Sequence, residues 1–231
     1  MYFPLSVVYV ILLCAVSAIT QSDNFPRAIW PFRIRLTLAN GEGNSDPNRP
    51  TSFAEKDPVN LNLNGPFSMI CWLRVSDRRF WRAAISIESP DASSALFRIA
   101  IPPDQMMFNV AWMKSAQARG GAINTTAIAP GPNTDFHFAL VKDENDITIY
   151  IDGEKKAFHT LNTPIFNPGN KKAVLGRTKL DGHSNRSQWN GVIRDMYIFN
   201  ETLTVAIVKE SQKRCNGACT RPSADESTTS K

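Results

Sequence analysis

Hydrophobic and polar residues alternate along residues 146–160 in the manner of a β-hairpin. Ile147, Ile149 and Ile151 occupy every second position, so one face of this segment is apolar. An Asp-Gly pair follows at residues 152–153. Such a pair favours the two-residue type I′ turn, because that turn needs positive φ at both positions. The segment therefore predicts part of a half-buried antiparallel sheet rather than a helix.

Short apolar runs with turn residues between them recur along the rest of the chain, which is typical of an antiparallel sandwich. The runs lie at residues 30–38, 59–63, 67–75, 83–88, 96–101, 106–113, 136–141, 146–151, 155–160, 172–176 and 189–199. A helical pattern occurs at residues 202–214, where Leu203, Ala206 and Ile207 share one face and Thr204 can cap the first turn. The sequence predicts an all-β fold, an antiparallel two-sheet jelly-roll sandwich with a short C-terminal helix.

The two ends of the chain differ from this pattern. Residues 1–18 form an apolar run that closes on small residues, which predicts a secretory signal peptide cleaved near Ala18. A membrane anchor would need about 20 apolar residues, and polar residues begin at Thr20. We therefore expect a secreted, extracellular protein with one jelly-roll domain over residues 27–214 and a disordered polar tail over residues 215–231.

Secretion changes the interpretation of the cysteines and of three sequons. Cys215 and Cys219 are close enough to form a disulfide after the helix, and Cys71 suits a buried, unpaired thiol. An alternative pairs Cys71 with either Cys215 or Cys219 and leaves the remaining cysteine for an intermolecular bond. Asn-X-Ser/Thr sequons predict a glycoprotein with N-linked glycans at Asn124, Asn185 and Asn200.

The charge balance bears on the choice of partner. The chain has 26 Lys and Arg against 21 Asp and Glu, a net charge of +5. Outside the cell this excess favours anionic glycans, acidic proteins or membrane surfaces, although it also serves solubility alone. No nucleic-acid-binding motif occurs in the sequence. We expect anionic glycans or extracellular matrix proteins as partners, with no nucleic acid and no membrane span.

Three blocks of sequence occur in the order and spacing of a known fold. The first is GPFSMICWLR at residues 65–74, the second is DFHFALV at 135–141 leading into IYIDG, and the third joins VLGR at 174–177 to WNGVIRD. In these blocks the chain resembles laminin G-like and pentraxin-like domains of the concanavalin A-like lectin/glucanase superfamily. The resemblance implies a jelly roll that binds carbohydrate or protein ligands along one face or at a rim, often with calcium.

The chain departs from pentraxins at two positions that matter for chemistry. Ile70 occupies the place of the pentraxin strand cysteine, and the partner cysteine is absent, so the resemblance does not extend to that disulfide. The loop that holds calcium in pentraxins corresponds here to residues 177–182, RTKLDG, with two cations where carboxylates are needed. The sequence thus predicts no cofactor and no metal, although a weaker calcium site remains open at Asp46, Asp181 or Asn185.

Candidate binding residues are cations with aromatic neighbours. They are Arg78, Arg79 and Trp81 in one run and the alternating pair Arg33 and Arg35 in another. Such arginines would bind sulfate or carboxylate groups, and an exposed Trp would stack on a sugar. Alternatively, Trp81 packs in the core and the arginines are solvated.

Catalysis is not expected, because the paired carboxylates of retaining glycosidases, a Glu-x-Asp-x-x-Glu run, do not occur in the sequence. The sequence therefore predicts a secreted, non-enzymatic, lectin-like module that binds extracellular glycans or matrix proteins. One alternative is a structural component of a cuticle, shell or skeletal extracellular matrix. A degenerate glycoside hydrolase is a third.

Overall fold

The computed structural model describes residues 26–32, 36–38, 54–76, 81–105, 107–126, 132–178 and 188–218. Within these ranges the chain forms thirteen strands and one helix. They are β1 (Trp30–Phe32), β2 (Leu36–Leu38), β3 (Ala54–Lys56), β4 (Phe67–Val75), β5 (Arg82–Glu88), β6 (Phe97–Ile101), β7 (Asn109–Met113), β8 (Arg119–Asn124), β9 (Asp135–Asp143), β10 (Asp146–Ile151), β11 (Glu154–Thr160), β12 (Lys172–Leu175), β13 (Gly191–Phe199) and α1 (Val205–Ala218).

The strands form two antiparallel sheets. The seven-stranded sheet has the order β1-β13-β4-β9-β10-β11, with β2 also paired to β13. The six-stranded sheet has the order β3-β12-β5-β6-β7-β8. Neighbours in space are mostly distant in sequence, as in a jelly roll. The predicted fold class, a two-sheet sandwich with a short C-terminal helix, is confirmed.

The main core lies between the two sheets. The alternation predicted for β10 is present, because Ile147, Ile149 and Ile151 are all buried there. The Asp-Gly turn that follows has φ values of 50° and 73° at residues 152–153, as a type I′ turn requires. Cys71 also lies in this core and is free, which is one of the two arrangements that the sequence left open.

A second, smaller core joins helix α1 to the outer face of the seven-stranded sheet. Ile70, Val141 and Phe199 of the sheet pack against Leu203 and Val208. The predicted cap is present, because the amide of residue 207 donates to the side-chain oxygen of Thr204 at 3.3 Å. The helix itself begins at Val205 rather than at residue 202. Its buried face differs from the prediction, since Ala206 is exposed. The helix also runs to residue 218, four residues past the predicted end of the domain.

One predicted strand differs from the observed structure, and another is described only in part. The run at residues 59–63 is not a strand, although Val59, Leu61 and Leu63 are buried. Its amides bond to the carbonyl of residue 171 and to the side chain of Asn167 rather than to a neighbouring strand. In the run at residues 30–38 the structure describes β1 and β2, and residues 33–35 between them lie outside the described residues.

Two strands, β3 and β8, were not predicted. β8 contains two consecutive glycines, which are depleted in strands.

Among the described residues, no helix is long and apolar enough to cross a membrane.

Candidate ligand-binding groove

The outer face of the six-stranded sheet carries a row of small and polar side chains. The strand register places Ser86, Arg98, Ala111 and Ala122 side by side across β5, β6, β7 and β8. Because side chains alternate between the faces of a sheet, the adjacent positions in these strands point into the main core. They include Ile99, Val110 and Ile123, which are buried between the sheets. The outward face therefore has an alanine floor with polar neighbours.

A groove with a volume of about 250 Å³ lies over this floor. The residues that define it here are Trp81, Arg98, Asn109, Ala111, Arg119 and Ala122. Apolar floor, aromatic edge and polar groups are the composition expected of a small-ligand site. We refer to this site as the outer-face groove.

Trp81 and Arg98 are in contact at one side of the groove. The guanidinium carbon of Arg98 lies 5.1 Å from the centroid of the Trp81 ring, within the range of a cation–π interaction. Trp81 is half-buried, whereas only 8% of Arg98 is exposed. Since the arginine is held by the sheet, the contact fixes the indole beside the groove.

Asn109 supplies a hydrogen-bonding group to the groove. Its Nδ2 donates to Oδ1 of Asn124 at 2.9 Å, across the β7–β8 pair. Its own Oδ1 is buried and accepts no hydrogen bond within the described part of the chain. A buried acceptor without a partner costs about 1–3 kcal/mol. The lining residue Asn109 thus has an acceptor whose hydrogen-bonding capacity is unmet.

The edge strand β8 packs closely against the side chain of Trp112. A Cβ atom at Gly120 would lie 2.4 Å from Trp112 Cδ1, and one at Gly121 would lie 2.7 Å from Trp112 Cζ2. Larger residues therefore cannot occupy these two positions without displacing the indole. At the end of the strand, the Phe108 amide donates to Thr125 Oγ1 at 2.8 Å, which anchors the segment that carries Asn124.

An ion-pair cluster occupies the outer face of the other sheet. Arg74 Nε lies 2.7 Å from Asp135 Oδ1, and Arg194 Nη2 lies 3.3 Å from Asp135 Oδ2. Burial raises the pKa of Asp135, but the hydrogen bonds and charges of the two arginines outweigh it and hold that pKa below its usual range. Arg194 also lies over the Trp72 ring, 4.9 Å from its centroid. Asp135 is thus ionised and already bonded, which suits a structural role better than acid catalysis.

His137 is buried beneath helix α1. Its Nε2 lies 3.0 Å from Ser211 Oγ, and the Ser211 hydroxyl donates to the carbonyl of Val208 at 2.7 Å. The imidazole is therefore the donor to Ser211. Burial lowers the pKa of His137 to about 4, so the ring is neutral at pH 7. This histidine fastens the helix to the sheet.

The donor set does not favour calcium in the described part of the chain. No group of three or more His, Cys, Asp or Glu side chains among the described residues is arranged to hold a metal. After the Leu175-Gly176 turn, Arg177 Nη2 lies 2.7 Å from a Glu55 carboxylate oxygen, and Lys172 Nζ contacts the same atom at 3.1 Å. That carboxylate is neutralised by protein cations.

Comparison with known proteins identifies the fold family. A laminin G family model, described as the concanavalin A-like lectin/glucanases superfamily, matches residues 50–209. The chain belongs to this superfamily. No curated protein matches the sequence.

Several solved structures share this concanavalin A-like fold. The Ruminococcus gnavus IT-sialidase CBM40 bound to α2,3-sialyllactose has a TM-score of 0.57 at 11% identity, over 80% of this chain and 100% of that one. A leech intramolecular trans-sialidase has a TM-score of 0.59 at 14% identity, over 80% of this chain and 28% of that one. The receptor-binding domain of botulinum neurotoxin C/D mosaic serotype has a TM-score of 0.52 at 14% identity, over 68% of this chain and 39% of that one. At such identities the likeness concerns the fold.

Within the concanavalin A-like fold, one of the predicted binding residues lies at the groove. Trp81 borders it and is not part of the main core. The other predicted binding residues, Arg33, Arg35, Arg78 and Arg79, lie outside the described residues. So do the weaker calcium candidates Asp46, Asp181 and Asn185, the cysteine at 219, and the side chain of Cys215.

The two described sequons lie on different sheets of the concanavalin A-like sandwich. Asn124 is exposed at the end of β8, and Asn200 is exposed directly after β13, where its Nδ2 donates to the carbonyl of Asn60 at 2.8 Å. Sequence reasoning missed Arg98, Asn109 and Arg119 as groove residues. For Arg98 the sequence did contain a signal. It lies between Phe97 and Ile99 in a predicted strand, and alternation places it on the opposite face from these two apolar residues.

Proposed function

We propose that this protein is a secreted, non-enzymatic module that binds extracellular glycans in the outer-face groove. The observation that carries the proposal is the buried, unpartnered Oδ1 of Asn109 in a groove with an alanine floor and an indole at its edge. Membership of a lectin-like superfamily supports it. A similarly folded module that covers 80% of this chain is bound to sialyllactose, which adds support.

The chemistry of the groove suits a sugar. A sugar ring has an apolar face of C–H groups that can stack on Trp81, and hydroxyl groups that can bond to polar side chains of the groove. Arg98 and Arg119 both line the groove, and the whole chain carries a net charge of +5. Positive charge in the lining would favour glycans that bear carboxylate or sulfate groups.

The residues around the groove favour binding over hydrolysis. The described residues that line it include neither Asp nor Glu. Most retaining and inverting glycosidases use two carboxyl groups on either side of the scissile bond. The absence of this pair from the described lining supports a non-enzymatic role.

Binding to immobilised heparin, 3′-sialyllactose and neutral lactose tests the proposal, with calcium or a chelator present. We expect saturable, chelator-insensitive binding to an anionic glycan, weakened about tenfold or more by Trp81→Ala. Asn109→Ala should weaken it as well. The matched control is Phe158→Ala, because Phe158 is 51% exposed on β11 of the other sheet. Unchanged affinity in Trp81→Ala would contradict the assigned site. Absence of saturable binding would instead favour a structural matrix role.

A further inference from the structure

One N-glycosylation sequon lies at the rim of the outer-face groove. Asn124 is the last residue of β8, the edge strand of the six-stranded sheet. Its register partner on β7 is Asn109, which lines the groove. Ala122 lies two residues earlier in the same strand and forms part of the floor, so it shares a face with Asn124. Asn124 therefore lies directly beside residues that line the groove.

The asparagine amide is oriented so that modification and the native contact are compatible. Asn124 accepts the hydrogen bond from Asn109 through Oδ1. N-glycosylation takes place at Nδ2 and leaves Oδ1 as an acceptor. A glycosylated Asn124 can thus keep its bond to Asn109 while its sugar begins at the rim.

The backbone of the sequon is fixed. The middle residue, Thr125, is buried, and its amide donates to the carbonyl of Phe108 at 2.9 Å. Its hydroxyl oxygen accepts from the Phe108 amide in return. Because Asn124 precedes this anchor directly, a glycan on it cannot move away with a mobile loop.

The dimensions of the groove make it sensitive to such a neighbour. Its volume of about 250 Å³ is below the ~300 Å³ at the lower end of typical ligand pockets. Two residues of a strand span about 7 Å, so Ala122 lies within reach of the first sugars attached to Asn124. An oligosaccharide at this position would occupy the space that a ligand needs.

We propose that Asn124 carries an N-linked glycan that closes the outer-face groove, so that the unglycosylated form binds glycan ligands more tightly. This inference rests on the proposed function. The donor is a lipid-diphosphate-linked oligosaccharide of the secretory pathway. A bond forms between Asn124 Nδ2 and the sugar C1, the bond from C1 to the diphosphate oxygen breaks, Nδ2 loses one proton, and the lipid diphosphate leaves.

The test compares two substitutions at the third position of the sequon in protein secreted from a eukaryotic host. Thr126→Ala removes the sequon but keeps Asn124, whereas Thr126→Ser keeps both the sequon and a hydroxyl. Peptide mass spectrometry measures occupancy at Asn124, and a biosensor measures affinity for heparin and 3′-sialyllactose. We expect Thr126→Ala to bind about tenfold or more tightly than the occupied wild type. Thr126→Ser should match the wild type.

Asn200→Gln provides the control for a glycan elsewhere. It removes the sequon that follows β13 on the other sheet, so affinity should stay at the wild-type value. If Thr126→Ala is not secreted, the folded wild type is trimmed with an endoglycosidase to its first sugar. Trimming should then tighten binding, because most of the oligosaccharide is removed.

The outcomes separate this inference from the proposed function. An unoccupied Asn124 overturns the inference, and so does equal affinity of the occupied and unglycosylated forms. In both cases a loss of binding in Trp81→Ala would leave the proposed function standing. If neither probe binds any form, glycosylated or not, both proposals fail.

Discussion

At the scale of single residues, Asp135 links neighbouring strands because two arginines form ion pairs with its carboxylate. It accepts from Arg74 on the neighbouring strand β4 and from Arg194 on β13. One carboxylate therefore ties three adjacent strands together. The ion pair between Glu154 and Lys156 on β11, at 2.6 Å, should contribute much less to stability. There 73% of the Glu154 side chain is exposed, so solvent screens the interaction.

We predict that Asp135→Asn lowers the free energy of unfolding by about 1–2 kcal/mol at pH 7. The arginines depress the pKa of Asp135 in the folded protein below the unfolded value of about 3.9. Its contribution is therefore complete above that value and is lost as pH falls through the lower folded pKa. Urea unfolding at pH 7 and pH 3 should show the difference shrinking in acid. Glu154→Gln is the control and should not differ measurably. Equal stability of Asp135→Asn and wild type at pH 7 would refute the prediction.

At the scale of elements, helix α1 covers the outer face of the seven-stranded sheet. Its attachment combines apolar packing, through Leu203 and Val208, with the hydrogen bond from His137 to Ser211. A buried imidazole contributes only while it is neutral, because charging it without a partner is costly. The attachment of this helix is therefore sensitive to acid.

We predict that the wild type loses stability as pH falls from about 6.5, the unfolded pKa of histidine, towards about 4, the folded pKa of His137. Only the unfolded chain binds the proton in this window, so unfolding is favoured, by up to about 3 kcal/mol at its acid end. His137→Gln removes the titrating ring and should flatten this dependence in urea unfolding. Ser211→Ala removes the hydrogen-bond partner and keeps the ring. Ser211→Ala should therefore lower the free energy of unfolding at every pH and retain the dependence of that free energy on pH. An unchanged slope in His137→Gln would rule out the assignment.

Elements whose structure is set by nearby residues could be predicted from the sequence, whereas those that depend on distant contacts could not. The β10–β11 hairpin and the first turn of α1 were predictable because Asp-Gly and Thr204 act locally. Strand β8 was missed because its two glycines signal a turn, whereas Trp112 requires them for packing. The groove was predicted only at Trp81. The other residues named for it come from three strands, β6, β7 and β8, and their meeting depends on the pairing order and register, which a local pattern does not contain.

For the whole molecule, the two sheets have different outer faces. One is covered by helix α1 and an ion-pair cluster, and the other carries the groove. Both outer faces belong to sheets that pack on the same main core, and within the seven-stranded sheet β13 lies close to β4. Gly191 has φ +140°, and a Cβ there would lie 1.9 Å from the carbonyl oxygen of Arg74. By contrast, a Cβ at Gly169 would meet nothing within 4 Å.

Cys71 reports on the integrity of this core, because its thiol lies between the sheets on β4. The side chain is 3% exposed, and burial together with the nearby Asp195 carboxylate raises the pKa of the thiol. Alkylation needs an accessible thiolate. We therefore predict that iodoacetamide modifies Cys71 only through global unfolding, at a rate that follows the unfolded population.

Peptide mass spectrometry distinguishes Cys71 from the other cysteines and measures this rate. Gly191→Ala should destabilise the fold by about 3 kcal/mol, through backbone strain and overpacking, and so accelerate labelling of Cys71 about a hundredfold. Gly169→Ala should label at the wild-type rate. Equal rates in the two variants would show that Cys71 becomes exposed by a local opening of β4. The sandwich would then not unfold as one cooperative unit, whereas a hundredfold difference means that both faces share the stability of a single core.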